Sequence, residues 1–161
     1  MGIFDFLMNS KDFYRRGYKK AYKSNWDFKG AIKDYTKAIE LDPNYEEAYF
    51  QRANAKHSLK DYYGAIEDFT KAIEKCGHLS VFELLSYEGR VKSKEKIKDF
   101  KGAIKDCSKL IELFSEESYS LAYSYYKRGF FKENIEDYDG AINDFTKIIE
   151  SESGYINPAY I

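Results

Sequence analysis

The chain has 161 residues, enough for one compact domain or one short array of repeats, and a formal net charge of −1 from 26 basic and 27 acidic residues. Apolar residues make up 43% of the sequence and charged residues 33%, and this apolar content excludes a disordered chain. Because the net charge is close to zero, the chain as a whole has no electrostatic attraction for DNA or an anionic membrane. Only two prolines and ten glycines occur. Long stretches are rich in alanine, lysine, glutamate and leucine, so we expect an all-α fold.

The first ten residues are predicted to form an N-terminal cap. They are apolar but short, carry Asp5, and lack both a basic leader and a small-residue cleavage site, a pattern that does not fit a signal peptide. Myristoylation is disfavoured because Phe6 stands where the motif requires serine or threonine. We expect the segment 1–10 to cover the end of the first helix pair with Ile3, Phe4, Phe6 and Leu7.

A motif that begins with aspartate then recurs four times, in residues 27–40, 61–74, 99–112 and 137–150. In the first copy Phe28, Ala31, Tyr35 and Ile39 fall at three- and four-residue spacing, which predicts one apolar stripe on a helix. The aspartate just ahead of each stripe can accept the free amide hydrogens of the first helical turn. We therefore predict helix N-caps at Asp27, Asp61, Asp99 and Asp137.

A second helical segment precedes each copy of the motif. It carries a small residue near its middle and a large apolar residue four positions earlier, so each copy belongs to a pair of helices. The small residues are Gly17, Ala53, Gly89 and Gly129, and the large ones are Phe13, Tyr49, Leu85 and Tyr125. A large side chain at the small positions would force the helix axes apart, at a cost of roughly 1–3 kcal/mol.

This fourfold pattern of aromatic and small residues resembles the tetratricopeptide repeat (TPR) family, and Pro43 holds the place of the family's terminal proline in the first repeat. The resemblance implies an α-solenoid, a right-handed superhelix of antiparallel helix pairs. It places four repeats at about 11–43, 44–77, 78–115 and 116–152, followed by a short tail of residues 153–161. The tail is too short for a full capping helix, so we expect a weak homodimer through the fourth repeat or a monomer capped by the tail.

The resemblance also implies where a partner binds, because in this family the first helix of each pair lines a concave surface. The predicted groove residues are Tyr14, Arg15, Tyr18, Phe50, Gln51, Asn54, His57, Tyr87, Arg90, Lys94, Tyr123, Tyr126, Lys127 and Phe130. Such an aromatic and basic groove favours a protein or peptide partner with an acidic or C-terminal segment. For each single aromatic residue, the alternative to partner binding is a structural role in the packing between repeats.

The residues that carry chemistry do not form a recognisable catalytic or metal-binding pattern. His57 and His78 are the only histidines, and no further cysteine or histidine lies near Cys76 and His78 to complete a zinc set. Cys107 replaces an aromatic residue of its stripe, which predicts a buried thiol. We therefore expect a non-enzymatic, cytoplasmic interaction scaffold with no metal and no cofactor. The alternatives are a self-associating structural module and, less favoured, an array that binds single-stranded RNA.

Overall fold

In the computed structural model, residues 7–23, 26–77, 80–113 and 119–153 are described, and they form eight helices. The helices are α1 (Ser10–Tyr22), α2 (Phe28–Leu41), α3 (Glu46–Ser58), α4 (Tyr62–Lys75), α5 (Val81–Lys96), α6 (Phe100–Leu113), α7 (Tyr119–Glu133) and α8 (Tyr138–Ser153). None of the described residues lies in a β-strand. The prediction of an all-α helical-repeat fold is confirmed.

The chain divides into two compact units, Met1–Ser93 and Lys94–Ile161, and the boundary falls within α5. In the first unit α1 packs on α2, α2 on α3, and α3 on α4; in the second unit α6 packs on α7 and α7 on α8. Leu7, predicted to help cover the first helix pair, is exposed. Met8, in the same segment, is partly buried against the cluster of Phe13 and Ile39. The other residues predicted to cover this pair, Ile3, Phe4 and Phe6, and nearly all of the predicted tail lie outside the described residues.

Each second helix begins at the predicted aspartate cap. The Asp27 carboxylate accepts the Gly30 amide at 2.8 Å, and the other three caps repeat this bond at 2.9–3.0 Å. A Cβ added to Gly30 would collide with that carboxylate. Glycine at this position therefore makes room for the cap.

The residue before each capping aspartate is left-handed, although none is glycine. The φ angles are 56° at Trp26, 64° at Lys60, 61° at Lys98 and 64° at Glu136. This conformation costs an L-residue roughly 1–2 kcal/mol. The turn recovers part of this through hydrogen bonds such as that from the Asp61 amide to the Lys56 carbonyl, 3.0 Å. The left-handed residue ends the first helix and turns the chain into the second.

The core follows the predicted stripe of the second helices. Ala31, Tyr35 and Ala38 of α2 are fully buried, as are their counterparts in α4. Cys107 is buried where the other second helices carry an aromatic side chain, so the prediction of a buried thiol is confirmed. Burial raises the pKa of this thiol to about 12, which keeps it protonated and unreactive at neutral pH.

A buried carboxylate lies inside the apolar stripe of each second helix. In α4, Asp68 accepts hydrogen bonds from Arg52 Nε at 2.8 Å and Nη2 at 2.7 Å, and from Lys56 Nζ at 2.8 Å. Both cations come from the first helix of the same pair. The remaining arginine nitrogen, Nη1, donates to Thr36 Oγ1 of the preceding pair at 3.1 Å. One arginine therefore links two consecutive helix pairs.

The other pairs repeat this ion cluster. Arg16 and Lys20 contact Asp34 at 2.7 Å each, Lys94 contacts Asp106 at 2.8 Å, and Arg128 and Lys132 contact Asp144 at 2.6 and 2.9 Å. Burial alone would raise the pKa of Asp144, but the hydrogen bonds from its two cations hold that pKa below the usual value.

These clusters fix the register of the first helices and correct one sequence interpretation. In three of them the arginine is followed directly by the buried small residue: Gly17, Ala53 and Gly129. In α5 the residue after Arg90 is Val91, which is buried in the same way. The interpretation of Gly89 as the small residue of the third pair is therefore wrong by two positions.

Gly89 is small for a different reason. A Cβ at Gly89 would collide with the ring of Phe69 on α4, the second helix of the preceding pair. A Cβ at Gly17 would instead lie 2.9 Å from the ring of Tyr35, in its own pair. Gly89 thus permits a close approach between consecutive pairs, whereas Gly17 permits close packing within a pair.

Candidate partner-binding surface

Aromatic side chains form a continuous ladder along one face of α1 and the turn that follows it. Ring centroids lie 6.5 Å apart from Tyr14 to Tyr18, 4.7 Å from Tyr18 to Tyr22, and 6.3 Å from Tyr22 to Trp26. Tyr18 and Tyr22 are each 39% exposed, and Trp26 is 64% exposed. We call Tyr14, Tyr18, Tyr22 and Trp26 the aromatic ladder. The spacing of four residues keeps the three tyrosine rings on one side of α1, and the turn after the helix brings Trp26 into contact with Tyr22.

The rest of the first unit holds the ladder in place. Tyr14 packs against Tyr45 at 5.1 Å and Tyr35 at 5.9 Å. The Tyr22 hydroxyl donates to Gln51 Oε1 on α3 at 2.8 Å. Burial raises the pKa of both Tyr14 and Tyr22, so their hydroxyls stay protonated and can donate at physiological pH. These contacts hold the rings in place, so the ladder presents apolar ring faces with hydroxyl groups at their edges.

A small cleft lies beside the predicted groove residues of α3. Phe50, Asn54 and His57 line one side of a cavity of about 130 Å³ with Phe69 among the lining residues. The α5 side is formed by four residues that were not predicted to line the groove: Leu85, Glu88, Gly89 and Lys92. His57 Nδ1 lies 2.8 Å from Ser93 Oγ, which fixes the orientation of the imidazole. The corrected register of α5 explains why these residues, rather than Tyr87, face the cleft.

The predicted cations of the third repeat are engaged within the chain. Arg90 Nη1 donates to Thr70 Oγ1 at 2.9 Å, and its guanidinium lies 5.1 Å from the Tyr87 ring centroid. Lys94 Nζ binds the buried carboxylate of Asp106. These side chains take the cluster positions of α5. The structure therefore does not bring Tyr87, Arg90 and Lys94 together with the cleft residues.

The predicted residues of the fourth repeat lie together on α7. Lys127 Nζ forms an ion pair with Glu95 at 2.9 Å and lies 6.0 and 5.8 Å from the rings of Tyr123 and Phe130. Tyr126 is exposed, and its ring centroid lies 6.3 Å from that of Phe145. Lys127 is therefore neutralised by a neighbour of its own unit.

Charge at this surface is consequently more balanced than the sequence predicts. Arg15 is the most exposed of the predicted cations, with 72% of its side chain accessible, and its guanidinium lies 3.9 Å from Asp12. The α5 side of the cleft adds one acid, Glu88, and one base, Lys92. The prediction of an acidic partner rests mainly on Arg15.

Among the described residues, no group of three or more His, Cys, Asp or Glu side chains is arranged to hold a metal ion. Cys76 is half buried, and burial raises the pKa of its thiol. None of the described helices is long and apolar enough to cross a membrane.

Two segments of the chain match family models: the model described as TPR repeat matches residues 20–60, and that described as tetratricopeptide repeat matches residues 122–155. The chain therefore contains tetratricopeptide repeats in both of its units. No curated protein sequence matches this TPR chain.

Solved structures share the fold of this TPR chain. A crystal structure of the MamA protein is 26% identical, covers 91% of this chain and 75% of its own, and has a TM-score of 0.74. YrrB, described as a TPR protein with an unusual peptide-binding site, is 19% identical over 94% of this chain and 73% of its own, with a TM-score of 0.73. The first TPR of Spaghetti (RPAP3), bound to the HSP90 peptide SRMEEVD, is 19% identical over 80% of this chain and 96% of its own, with a TM-score of 0.64.

Proposed function

We propose that this TPR chain is a non-catalytic interaction scaffold that binds an extended peptide along the aromatic ladder and the neighbouring face of α3. The observation that carries the proposal is the ladder itself, in which four contacting rings lie on one side and three are well exposed. Exposed apolar patches of this kind tend to mark interaction sites. YrrB and the Spaghetti TPR, which share the fold, are both described with bound peptides or peptide-binding sites.

The spacing of the ladder suits a particular peptide conformation. Side chains four residues apart on a helix are separated by about 6 Å along the axis. In an extended peptide, alternate side chains on one face are separated by about 6.6 Å. Over the two steps that lie on α1, from Tyr14 to Tyr22, the spacing of the rings and that of the peptide side chains differ by only about 1 Å in total. We therefore infer a ligand with apolar side chains at alternate positions, each contacting one ring.

Polar groups beside the rings suit the backbone of such a ligand. The Tyr18 hydroxyl and the Gln51 amide lie on or beside the ladder and can donate to peptide carbonyl groups. Tyrosine also provides a large contact area at a small cost in side-chain entropy. Arg15, exposed at the edge of the same helix, can pair with one carboxylate of the ligand. An acidic residue is thus a secondary feature of the expected ligand.

A display library of random ten-residue peptides, selected on the intact chain, tests this function. We expect enrichment of peptides with apolar residues at alternate positions, and quenching or a shift of Trp26 fluorescence on binding, since Trp26 is the only tryptophan. Tyr18→Ala should weaken binding roughly tenfold or more. Tyr63→Ala is the matched control, because Tyr63 is an exposed tyrosine of α4 outside the ladder.

The proposal fails if selected peptides bind wild type and Tyr18→Ala equally, or if both tyrosine variants lose affinity to the same extent. It also fails if oligouridine displaces the peptides with an affinity that falls steeply with salt. That result would favour the RNA-binding alternative, in which the same rings stack on bases.

A further inference from the structure

The outward side of α8 is exposed where the equivalent side of α2 is covered by the next helix. Ile149 is 67% exposed, whereas its counterpart Ile39 is 8% exposed and packs in a cluster with Ala48 of α3. Ile142 is 63% exposed, and Thr146 is exposed as well. We call Ile142, Thr146 and Ile149 the α8 face. It has the footprint that a following first helix covers on α2.

A hydrogen bond marks each joint between a second helix and the next first helix. Arginine Nη1 donates to a threonine or serine hydroxyl in three joints: Arg52 to Thr36, Arg90 to Thr70, and Arg128 to Ser108, at 2.9–3.1 Å. Each of these hydroxyls donates in turn to the carbonyl four residues earlier. Thr146 makes the same bond to the Ile142 carbonyl at 2.8 Å. The Thr146 hydroxyl oxygen can therefore accept a hydrogen bond at the position where Thr36, Thr70 and Ser108 accept one from arginine.

The covering helices share one sequence element, a small residue followed by tyrosine, two variable residues and arginine. It occurs as Ala48-Tyr49-x-x-Arg52, Ser86-Tyr87-x-x-Arg90 and Ser124-Tyr125-x-x-Arg128. The small residue is fully buried in all three, and the arginine lies over the tyrosine ring at 5.1–5.6 Å. The element therefore supplies both the close contact and the donor of the joint.

A second copy of this chain is poorly suited to supply that element. Its α3, α5 and α7 elements are already buried within their own units. On α1 the position of Ala48 is taken by Asp12, whose carboxylate forms a capping box with Asn9. Packing Asp12 against Ile149 would bury this carboxylate beside an apolar side chain, which is costly.

We propose that the α8 face is a docking site for an amphipathic helix of a partner protein that carries the element small-Tyr-x-x-Arg. The small residue packs over Ile149, the tyrosine packs along the apolar face, and the arginine donates to Thr146. This site is separate from the aromatic ladder and does not depend on the function proposed for it.

A fluorescent, hydrocarbon-stapled peptide with the sequence of residues 44–58 provides the probe. Linking positions 50 and 54 leaves the element 48–52 available, because Phe50 and Asn54 face the cleft in the intact chain. The intact chain should bind this peptide in fluorescence anisotropy. Replacing the peptide's Arg52 by Gln should weaken binding roughly tenfold. In the chain, Ile149→Asp should abolish binding, and Thr146→Val should weaken it to a similar extent as the peptide substitution.

Asn143→Ala, also on an exposed part of α8, is the matched control and should bind like wild type, as should Tyr18→Ala. Circular dichroism checks that Ile149→Asp keeps its helical content. Equal binding by Ile149→Asp would overturn the proposal, because the peptide would then be exchanging with α3 inside the chain. If the peptide binds a chain that ends at Ser153 but not the intact chain, the proposal is overturned, because residues 154–161 would then be the occupant of the α8 face. A dimer in light scattering that Ile149→Asp dissociates, without peptide binding, would overturn it in favour of self-association.

Discussion

Removing the charge of Asp68 tests whether the buried ion clusters hold the helix pairs together. Asparagine keeps the shape of the side chain but leaves Arg52 and Lys56 without the carboxylate that both contact at 2.7–2.8 Å. The Asp68 residue is 2% exposed. Breaking a buried ion pair typically costs about 3–5 kcal/mol. Because the two cations retain some contact with water, we expect the lower end, about 3 kcal/mol.

The assay is thermal unfolding followed by far-ultraviolet circular dichroism. For a chain of this length, a loss of about 3 kcal/mol lowers Tm by roughly 6–12 °C. Glu74→Gln is the matched control, because it removes one half of an ion pair with Lys71 in the same helix. Both side chains of that pair are about half exposed, so solvent screens their interaction and Tm should not change measurably.

A triple variant separates the cost of unpaired charge from the loss of shape. Replacing Asp68 by Leu and both Arg52 and Lys56 by Met removes every charge of the cluster and keeps most of its volume. Its Tm should lie closer to wild type than that of Asp68→Asn, because apolar replacement of a whole buried ion cluster is often neutral. The reasoning is refuted if Asp68→Asn melts like wild type, or if the triple variant is the less stable of the two.

Further predictions concern single side chains. The Tyr35 hydroxyl is buried with no hydrogen-bond partner among the described residues, so Tyr35→Phe should raise the free energy of unfolding in urea by about 1 kcal/mol. Lys60→Gly should raise it by about 0.5–1 kcal/mol, because glycine accepts the left-handed turn without strain; an equal or lower midpoint would contradict this. At pH about 8, a thiol reagent should label Cys76 first, since Cys107 is buried with its pKa raised to about 12; labelling of both at one rate would show that unit 2 opens readily. The lowered pKa of Asp144 means that its charge stabilises the fold above the ordinary aspartate pKa and that this contribution is lost as the pH falls through the folded-state pKa. The difference in urea midpoint between wild type and Asp144→Asn should therefore be largest near neutral pH and shrink below about pH 4, and a difference that persists in acid would rule out this charge effect.

Local features of the fold were predictable because their causes are local in sequence. An aspartate ahead of an apolar stripe can cap only the helix that follows it, and all four predicted caps are confirmed. The buried aspartates of the ion clusters were missed because a single charged residue inside an apolar stripe resembles a solvent-facing one. Their recurrence at one position in all four copies, as Asp34, Asp68, Asp106 and Asp144, was the available signal.

The register of α5 shows where sequence reasoning fails. Gly89 was aligned with the small residues of the other first helices. It is small because a side chain there would collide with the ring of Phe69 in the preceding pair. Residue size does not reveal which neighbour requires it. Because of this error of two positions, Tyr87 and Arg90 were predicted to face the groove in place of Gly89 and Lys92, which line the cleft. Arg90 instead donates to Thr70 of the preceding pair, and Lys94 binds Asp106 in the ion cluster.

The aromatic ladder was predicted in part. Tyr14 and Tyr18 were named as groove residues, whereas Tyr22 and Trp26 lie beyond the window aligned on the small residue of α1. Their spacing of four residues continues the pattern and would have identified them. The exposure of Trp26 and its contact with Tyr22 depend on the conformation of the turn. That conformation is left-handed at a residue that gives no such indication in the sequence.

The shared arginine and hydroxyl have a consequence for how such a chain can change in length. Each joint pairs an arginine Nη1 with a threonine or serine hydroxyl, so the donor of one joint can bond to the acceptor of another. Deleting α3 and α4 together would place Thr36 opposite Arg90, a pair equivalent to the one that was lost. Duplication or loss of a whole helix pair within the gene would therefore preserve this hydrogen bond, and only the apolar packing around it, such as that of Gly89 on Phe69, would have to change.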